Sequence, residues 1–191
     1  MCILRYSGTI NGAEFYATQG FNAGMSFRSL RDAAPCMLLR SLDIAEHCLE
    51  LIDEPCAGGK ICRFSADNVF VQNDEIMIIA ECIGDVPFRN NMFTAPELAQ
   101  GRCSDERSAA VYSVGAVLFF ALFGREPYRS EIYYGHDFGL SDKHIPDENM
   151  SGELEYILSH TMAVSGACRA SPTEISEHIR RIKDNIMLNA H

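Results

Sequence analysis

Hydrophobic positions along this chain change spacing from two to three or four and back again, and each change marks an element. Near the start, Cys-Ile-Leu-Arg-Tyr and Glu-Phe-Tyr-Ala-Thr-Gln-Gly-Phe lie on either side of Asn11-Gly12 with alternating character, which predicts a hairpin over residues 2–21. Two strands alone are unstable in water, so this hairpin must lean on something else. Asn22-Ala23-Gly24 breaks the second strand, and Ser26 is positioned to cap a short helix from Phe27 to Asp32.

Met37, Leu38, Ser41, Ile44, Ala45, Cys48 and Ile52 then recur mostly at spacings of three and four, predicting a helix with one buried stripe. Pro35 should open it, and Pro55 with Gly58-Gly59 should end it. Val69-Phe70-Val71 and Ile76-Met77-Ile78-Ile79 flank the polar Gln72-Asn73-Asp74, which predicts a second small hairpin. From Glu106 to Phe123 the chain is apolar nearly all round, as expected of a helix at the centre of a helical lobe, and Gly124 and Pro127 terminate it. Residues 128–150 read as a polar connection, followed by helices from Gly152 to Val164 and from Pro172 to about Met187, the latter capped by Ser171. The class is α+β, mainly helical, with no internal repeat.

Composition narrows the choice. The 191 residues are 47% hydrophobic and 22% charged, which fits one globular domain. A formal charge of −10 repels phosphate backbones and anionic lipid, so neither nucleic acid nor membrane is an expected partner. Eight cysteines without a C-x-x-C pair read as free or buried thiols in a reducing compartment. The opening MCILRYSGT has no signal-peptide character, and Val111 to Gly124 reads as too short and interrupted to span a bilayer. A cytoplasmic location, or secretion as an effector without a cleaved signal, is the expectation.

The chemistry-bearing residues come in a particular order. Phe64-Ser-Ala-Asp-Asn68-Val-Phe-Val is followed thirteen residues after Asn68 by Glu81, in Ile-Ile-Ala-Glu-Cys-Ile-Gly84. Next come Phe93-Thr94-Ala95-Pro96-Glu97, then Ala110-Val-Tyr-Ser-Val-Gly115, then Arg169 in Cys-Arg-Ala-Ser-Pro-Thr-Glu-Ile. Over roughly residues 14–182 this order resembles the protein kinase superfamily from its fifth strand onward: end of the catalytic loop, metal-binding Asp-Phe-Gly, Ala-Pro-Glu, central helix and late arginine. The resemblance implies a single domain over 1–191. Residues 1–33 would be a remnant hairpin and hinge and 34–191 the helical C-terminal lobe, with the N-terminal lobe largely absent. It also implies an ion pair between Glu97 and Arg169.

The same resemblance implies loss of catalysis. Phosphoryl transfer requires groups that hold the nucleotide phosphates, metal ions that neutralise them and a carboxylate that accepts the substrate proton. Five residues before Asn68, at the catalytic aspartate's position, stands Arg63, preceded by Ile61 and Cys62, and a guanidinium cannot act as a base. Ser65 replaces the loop lysine, Glu81 stands for the metal-binding aspartate, and Ala110 replaces the aspartate that braces the catalytic loop. The Gly-rich loop and strand lysine precede the matching stretch, and Lys60 after Gly58-Gly59 lacks phosphate-loop spacing. Nine residues between Gly84 and Thr94 leave a very short activation segment. The string Asp137-Phe138-Gly139 follows the central helix, so it reads as a turn rather than the metal motif.

Asn68 and Glu81 could together hold a divalent cation. The alternative is that Asn68 bonds the loop backbone and Glu81 is a solvated residue at a strand end. His47, His136, His144, His160, His178 and His191 form no ligand constellation with Cys or Asp. Three functions follow. The first is a catalytically inactive, pseudokinase-type scaffold or regulator without cofactor, binding a protein partner or a second copy through the hairpin (Ile3, Leu4, Tyr6, Phe15, Tyr16) and the cleft surface. The second is an atypical phosphotransferase or nucleotide-binding protein using ATP and Mg²⁺ at Asn68 and Glu81, with Arg63 or Arg89 anchoring phosphate. The third is a fragment of a longer or split kinase.

Overall fold

The computed structural model describes residues 5–10, 13–18, 27–73, 75–83, 91–101, 105–134, 138–140, 145 and 147–189. It is α+β and mainly helical. Six strands, β1 (Arg5–Ile10), β2 (Ala13–Thr18), β3 (Arg28–Ser29), β4 (Ile61–Arg63), β5 (Val69–Gln72) and β6 (Glu75–Ile83), pair antiparallel throughout. The spine is β6. Its first half pairs with β5, and its second half carries both β2 and β4, so that Glu81 stands opposite Phe15 on one side and Arg63 on the other. In β5 the exposure alternates, with Val69 and Val71 buried and Phe70 and Gln72 half-buried, as a pleated strand over a core requires.

The helices are α1 (Leu30–Ala33), α2 (Leu38–Glu50), α3 (Asp53–Ala57), α4 (Pro96–Ala99), α5 (Glu106–Phe123), α6 (Arg129–Tyr134), α7 (Glu148–Thr161) and α8 (Pro172–Asn189). The lobe is built round α5, every residue of which from Ser108 to Leu122 is buried. Asp105 caps its start by accepting from the amides of Arg107 and Ser108, and Gly124, at φ 68°, ends it in the left-handed conformation that glycine adopts without penalty. Against α5 pack α2, through Leu42, Ile44, Ala45 and Cys48, and α7, through Leu154, Ile157, Leu158 and Thr161. Helix α8 closes the far side with Ile175, Ile179 and Ile182, and the Ser171 hydroxyl accepts from the Glu174 amide at its start.

Several expectations are corrected. Phe27 to Asp32 is not one helix capped at Ser26: Arg28 and Ser29 pair with Val71 and Phe70 before α1 begins. Pro35 does not open α2, which starts at Leu38, because the connection is held by the Cys36 amide donating to the Ala121 carbonyl. Met37, expected in the buried stripe, is exposed. Pro55 sits inside α3 rather than ending α2. Ile61–Arg63, read as loop, is a strand, since its amides and carbonyls find partners along β6. Residues 128–150 are not only connection: α6 lies within them, and α7 starts at Glu148, where Asp147 caps it by accepting from the Asn149 amide.

Residues 106–123 are long and apolar enough to cross a membrane, contrary to the reading of Val111 to Gly124, and 78% of this helix is buried inside the protein. The hairpin turn at Asn11-Gly12, the break at Asn22-Ala23-Gly24 and the apolar side chains of the hairpin lie outside the described residues.

Candidate functional site

The segment leaving β4 is a tight loop organised round Asn68. The Asn68 side-chain oxygen accepts from the Ser65 amide at 2.7 Å, and its nitrogen donates to the Arg63 carbonyl at 3.3 Å. Its backbone amide donates to the Ser65 carbonyl, and its carbonyl accepts from the Ile79 amide of β6. With the residue buried and both ends of its amide engaged, Asn68 organises the loop as an Asx-type side chain does. These bonds fix the direction in which the remaining lone pair of the side-chain oxygen points.

The loop is clamped from beneath by α5. The Ser113 hydroxyl accepts from the Phe64 amide at 3.2 Å and donates to the Ala110 carbonyl at 2.7 Å. Ala110 is fully buried and has no polar side chain, so the bracing contact comes from the residue three positions later on the same helix. Sequence reasoning missed this: a serine within an apolar helix reads as a small core residue until the backbone facing it is known.

Asp67 was also missed. It accepts from the Arg31 guanidinium through both oxygens, at 2.6 and 2.9 Å, and this hydrogen-bonded partner holds its carboxyl below the usual carboxylate range. The Arg31 amide donates to the Ala66 carbonyl as well, so one residue of α1 fixes the loop through side chain and backbone. The exposed ion pair itself adds little stability.

Arg63 ends β4, directly opposite Glu81 in the β4–β6 register. Glu81 is therefore not at a free strand end: its backbone is paired on both sides, and its side chain lies outside the described residues. Ser65 gives its amide to Asn68. No group of three or more metal-ligating side chains occurs among the described residues. Arg89, Gly84, Asp137, His136, His144 and His191 are outside them. Phe138 is buried and Gly139 has φ 70°, so the end of the Asp-Phe-Gly string is a turn against the core.

Glu97 and Arg169 are brought together. The guanidinium nitrogens donate to the two carboxylate oxygens at 2.6 and 2.9 Å, with Arg169 fully buried and Glu97 20% exposed. Arg169 also donates to the carbonyls of Ala163 and Ser108 and lies 5.0 Å from the Tyr112 ring centroid. It thereby ties α4, α5 and the 3₁₀ turn Gly166–Cys168 into one joint. Beside that joint, Asn91, Thr94, Pro96, Tyr112 and Tyr133 help line a cleft of about 280 Å³.

No protein-family model matches the chain, and no curated protein sequence matches it.

Proposed function

We propose that this chain is a degenerate protein-kinase-like C-terminal lobe that works without catalysis, as a scaffold or regulator that binds another protein. The observation that carries the reading is the Glu97–Arg169 pair. Resemblance alone assigned these residues to one another across 72 positions, and they form a buried, two-pronged contact that neither composition nor helix periodicity would produce.

The loss of catalysis rests on the loop. Arg63 stands five residues before Asn68, where the resemblance calls for a proton-accepting carboxylate, and a guanidinium has no lone pair to offer. Asn68 is engaged by its own loop at both ends of the amide. Phosphoryl transfer depends on positioned metal and base, and Arg63 cannot serve as that base.

The test is a thermal melt with and without ATP and Mg²⁺ or Mn²⁺. A ligand at one hundred times its dissociation constant stabilises by about 2.7 kcal/mol, which a melt resolves readily. An unchanged melting temperature is expected. A metal-dependent rise abolished by Glu81→Ala would replace this reading with a nucleotide-dependent transferase.

A further inference from the structure

Where α2 begins, the sequence obeys neither helix-start chemistry nor core patterning. The N-cap position is occupied by Met37, which offers no capping oxygen, and the first turn holds no acidic residue. Met37 is 84% exposed and Leu39 is 40% exposed, two large apolar side chains one turn from the core stripe that do not join it. A local rule broken without a structural gain points to a site.

Beside this helix start lies a groove of about 570 Å³ between the α1–α2 connection and the β5–β6 turn. Ala33, Cys36 and Val71 give it an apolar lining, and Arg28 and Arg40 stand along it. In a chain with 26 acidic and 16 basic residues, this lining contains two arginines and no carboxylate among the described residues. Each arginine donates to a backbone carbonyl, Arg28 to that of Asp32 and Arg40 to that of Glu75, which orients the guanidinium, and a neutral acceptor of this kind does not itself neutralise it. The uncapped α2 N-terminus adds partial positive charge of the same sign.

We propose that this groove docks a short peptide segment of a partner protein that carries apolar side chains next to carboxylates. Leucine- or methionine-sized groups would pack on Met37 and the apolar lining, and Asp or Glu would pair with Arg28 and Arg40. Methionine suits such a surface because its flexible thioether adapts to differing apolar shapes. The side-chain amide of Asn73, exposed at the turn, is available to the peptide backbone. Charge decides among occupants: a second copy docked face to face would set the same two arginines against themselves, and the overall −10 opposes a nucleic acid, with a phosphate at every nucleotide, far more than a peptide that sets one or two carboxylates beside the arginines. The proposal names the partner chemistry for the binding role above and rests on it.

The experiment is selection of a random nine-residue phage-displayed peptide library on the full chain, followed by affinity measurement of the enriched peptides by fluorescence anisotropy. Enriched sequences are expected to combine Asp or Glu with Leu, Met or Phe, and to weaken about tenfold or more on either Met37→Ser or Arg28→Glu. Both positions are exposed, and a melting temperature no lower than that of the wild type verifies that each variant is folded, Met37→Ser being expected to raise it slightly by capping α2. No enrichment, enrichment of basic peptides, or binding indifferent to both substitutions would overturn the proposal. So would sedimentation showing a dimer that Met37→Ser dissociates, which would make the occupant a second copy. The ATP·Mg²⁺ melt separates the two readings, because a nucleotide response would remove the inactive-lobe reading while leaving peptide affinity as measured.

Discussion

Arg169 and Glu97 meet through two hydrogen bonds across 72 residues of chain, and the arginine is the more deeply buried of the two. Removing Arg169 leaves the Glu97 charge uncompensated and takes the guanidinium donor away from the Ala163 carbonyl. Arg169→Ala should therefore destabilise the fold by about 2–4 kcal/mol, the partial exposure of Glu97 keeping it below the extreme. Urea unfolding followed by circular dichroism measures this, and an unchanged midpoint would mean that the pair contributes nothing.

The Ser113 hydroxyl provides a second test. Ser113→Ala leaves the Phe64 amide without its acceptor in a buried setting, which should cost about 1–3 kcal/mol. The same urea titration reads it. A loss well below 1 kcal/mol would show that the loop relaxes to find another acceptor, so that α5 does not hold it.

These two contacts differ in how far the sequence discloses them. Glu97 and Arg169 lie in short strings whose order carries the resemblance, and their partnership is what that resemblance implies. Ser113 lies in an apolar run, and nothing local distinguishes it from a core serine. The same division runs through the fold. Helix α5 was legible because apolar side chains all round and a following glycine are properties of one segment. The strand at Ile61–Arg63 was not, since three residues carry too little pattern and their pairing with β6 is set by tertiary packing. Met37 was assigned to the core by spacing alone. The start of α2 at Leu38, fixed by Cys36 bonding Ala121, puts it outside instead.

Gly115 brings α5 close against the end of α7. A Cβ built there would lie 2.1 Å from the Thr161 hydroxyl oxygen and 2.6 Å from its Cβ, far inside van der Waals contact. Thr161 is fully buried and bonds the Ile157 carbonyl, so it cannot turn away freely. Gly115→Ala should destabilise by about 1–3 kcal/mol despite its better helix propensity, because the two helices must separate. A raised melting temperature would show that the approach is looser than described.

Thiol reactivity should follow burial. Cys48 is fully buried, and desolvation pushes its thiol well above the ordinary range, so no thiolate forms there at neutral pH. Cys62 is buried as well, Cys36 and Cys56 are half-buried, and Cys168 is exposed. Timed alkylation with peptide mass mapping should label Cys168 first among these five, with Cys48 and Cys62 reacting only in denaturant. Early labelling of Cys48 in the native protein would indicate that α2 opens from α5.

Tyr112 makes the fold sensitive to alkali. Burial pushes its hydroxyl from the ordinary 10.0 up to about 12, opposed by the neighbouring Arg169 charge and reinforced by Glu97. The sign follows from proton counting. Between the two values the unfolded chain loses the tyrosine proton while the native state keeps it, so unfolding becomes easier as pH rises. The contribution is fully present below pH 10 and is lost towards pH 12, at up to about 1.4 kcal/mol per unit. Cys48, also raised by burial, acts in the same direction from its ordinary value of 9.0 upward, so the wild-type slope contains both. Urea midpoints taken from pH 8 to 11 on the wild type and Tyr112→Phe isolate the tyrosine, because the phenyl ring preserves packing and cannot ionise. The variant should show a shallower decline above pH 10, and identical slopes would place the tyrosine hydroxyl in contact with water.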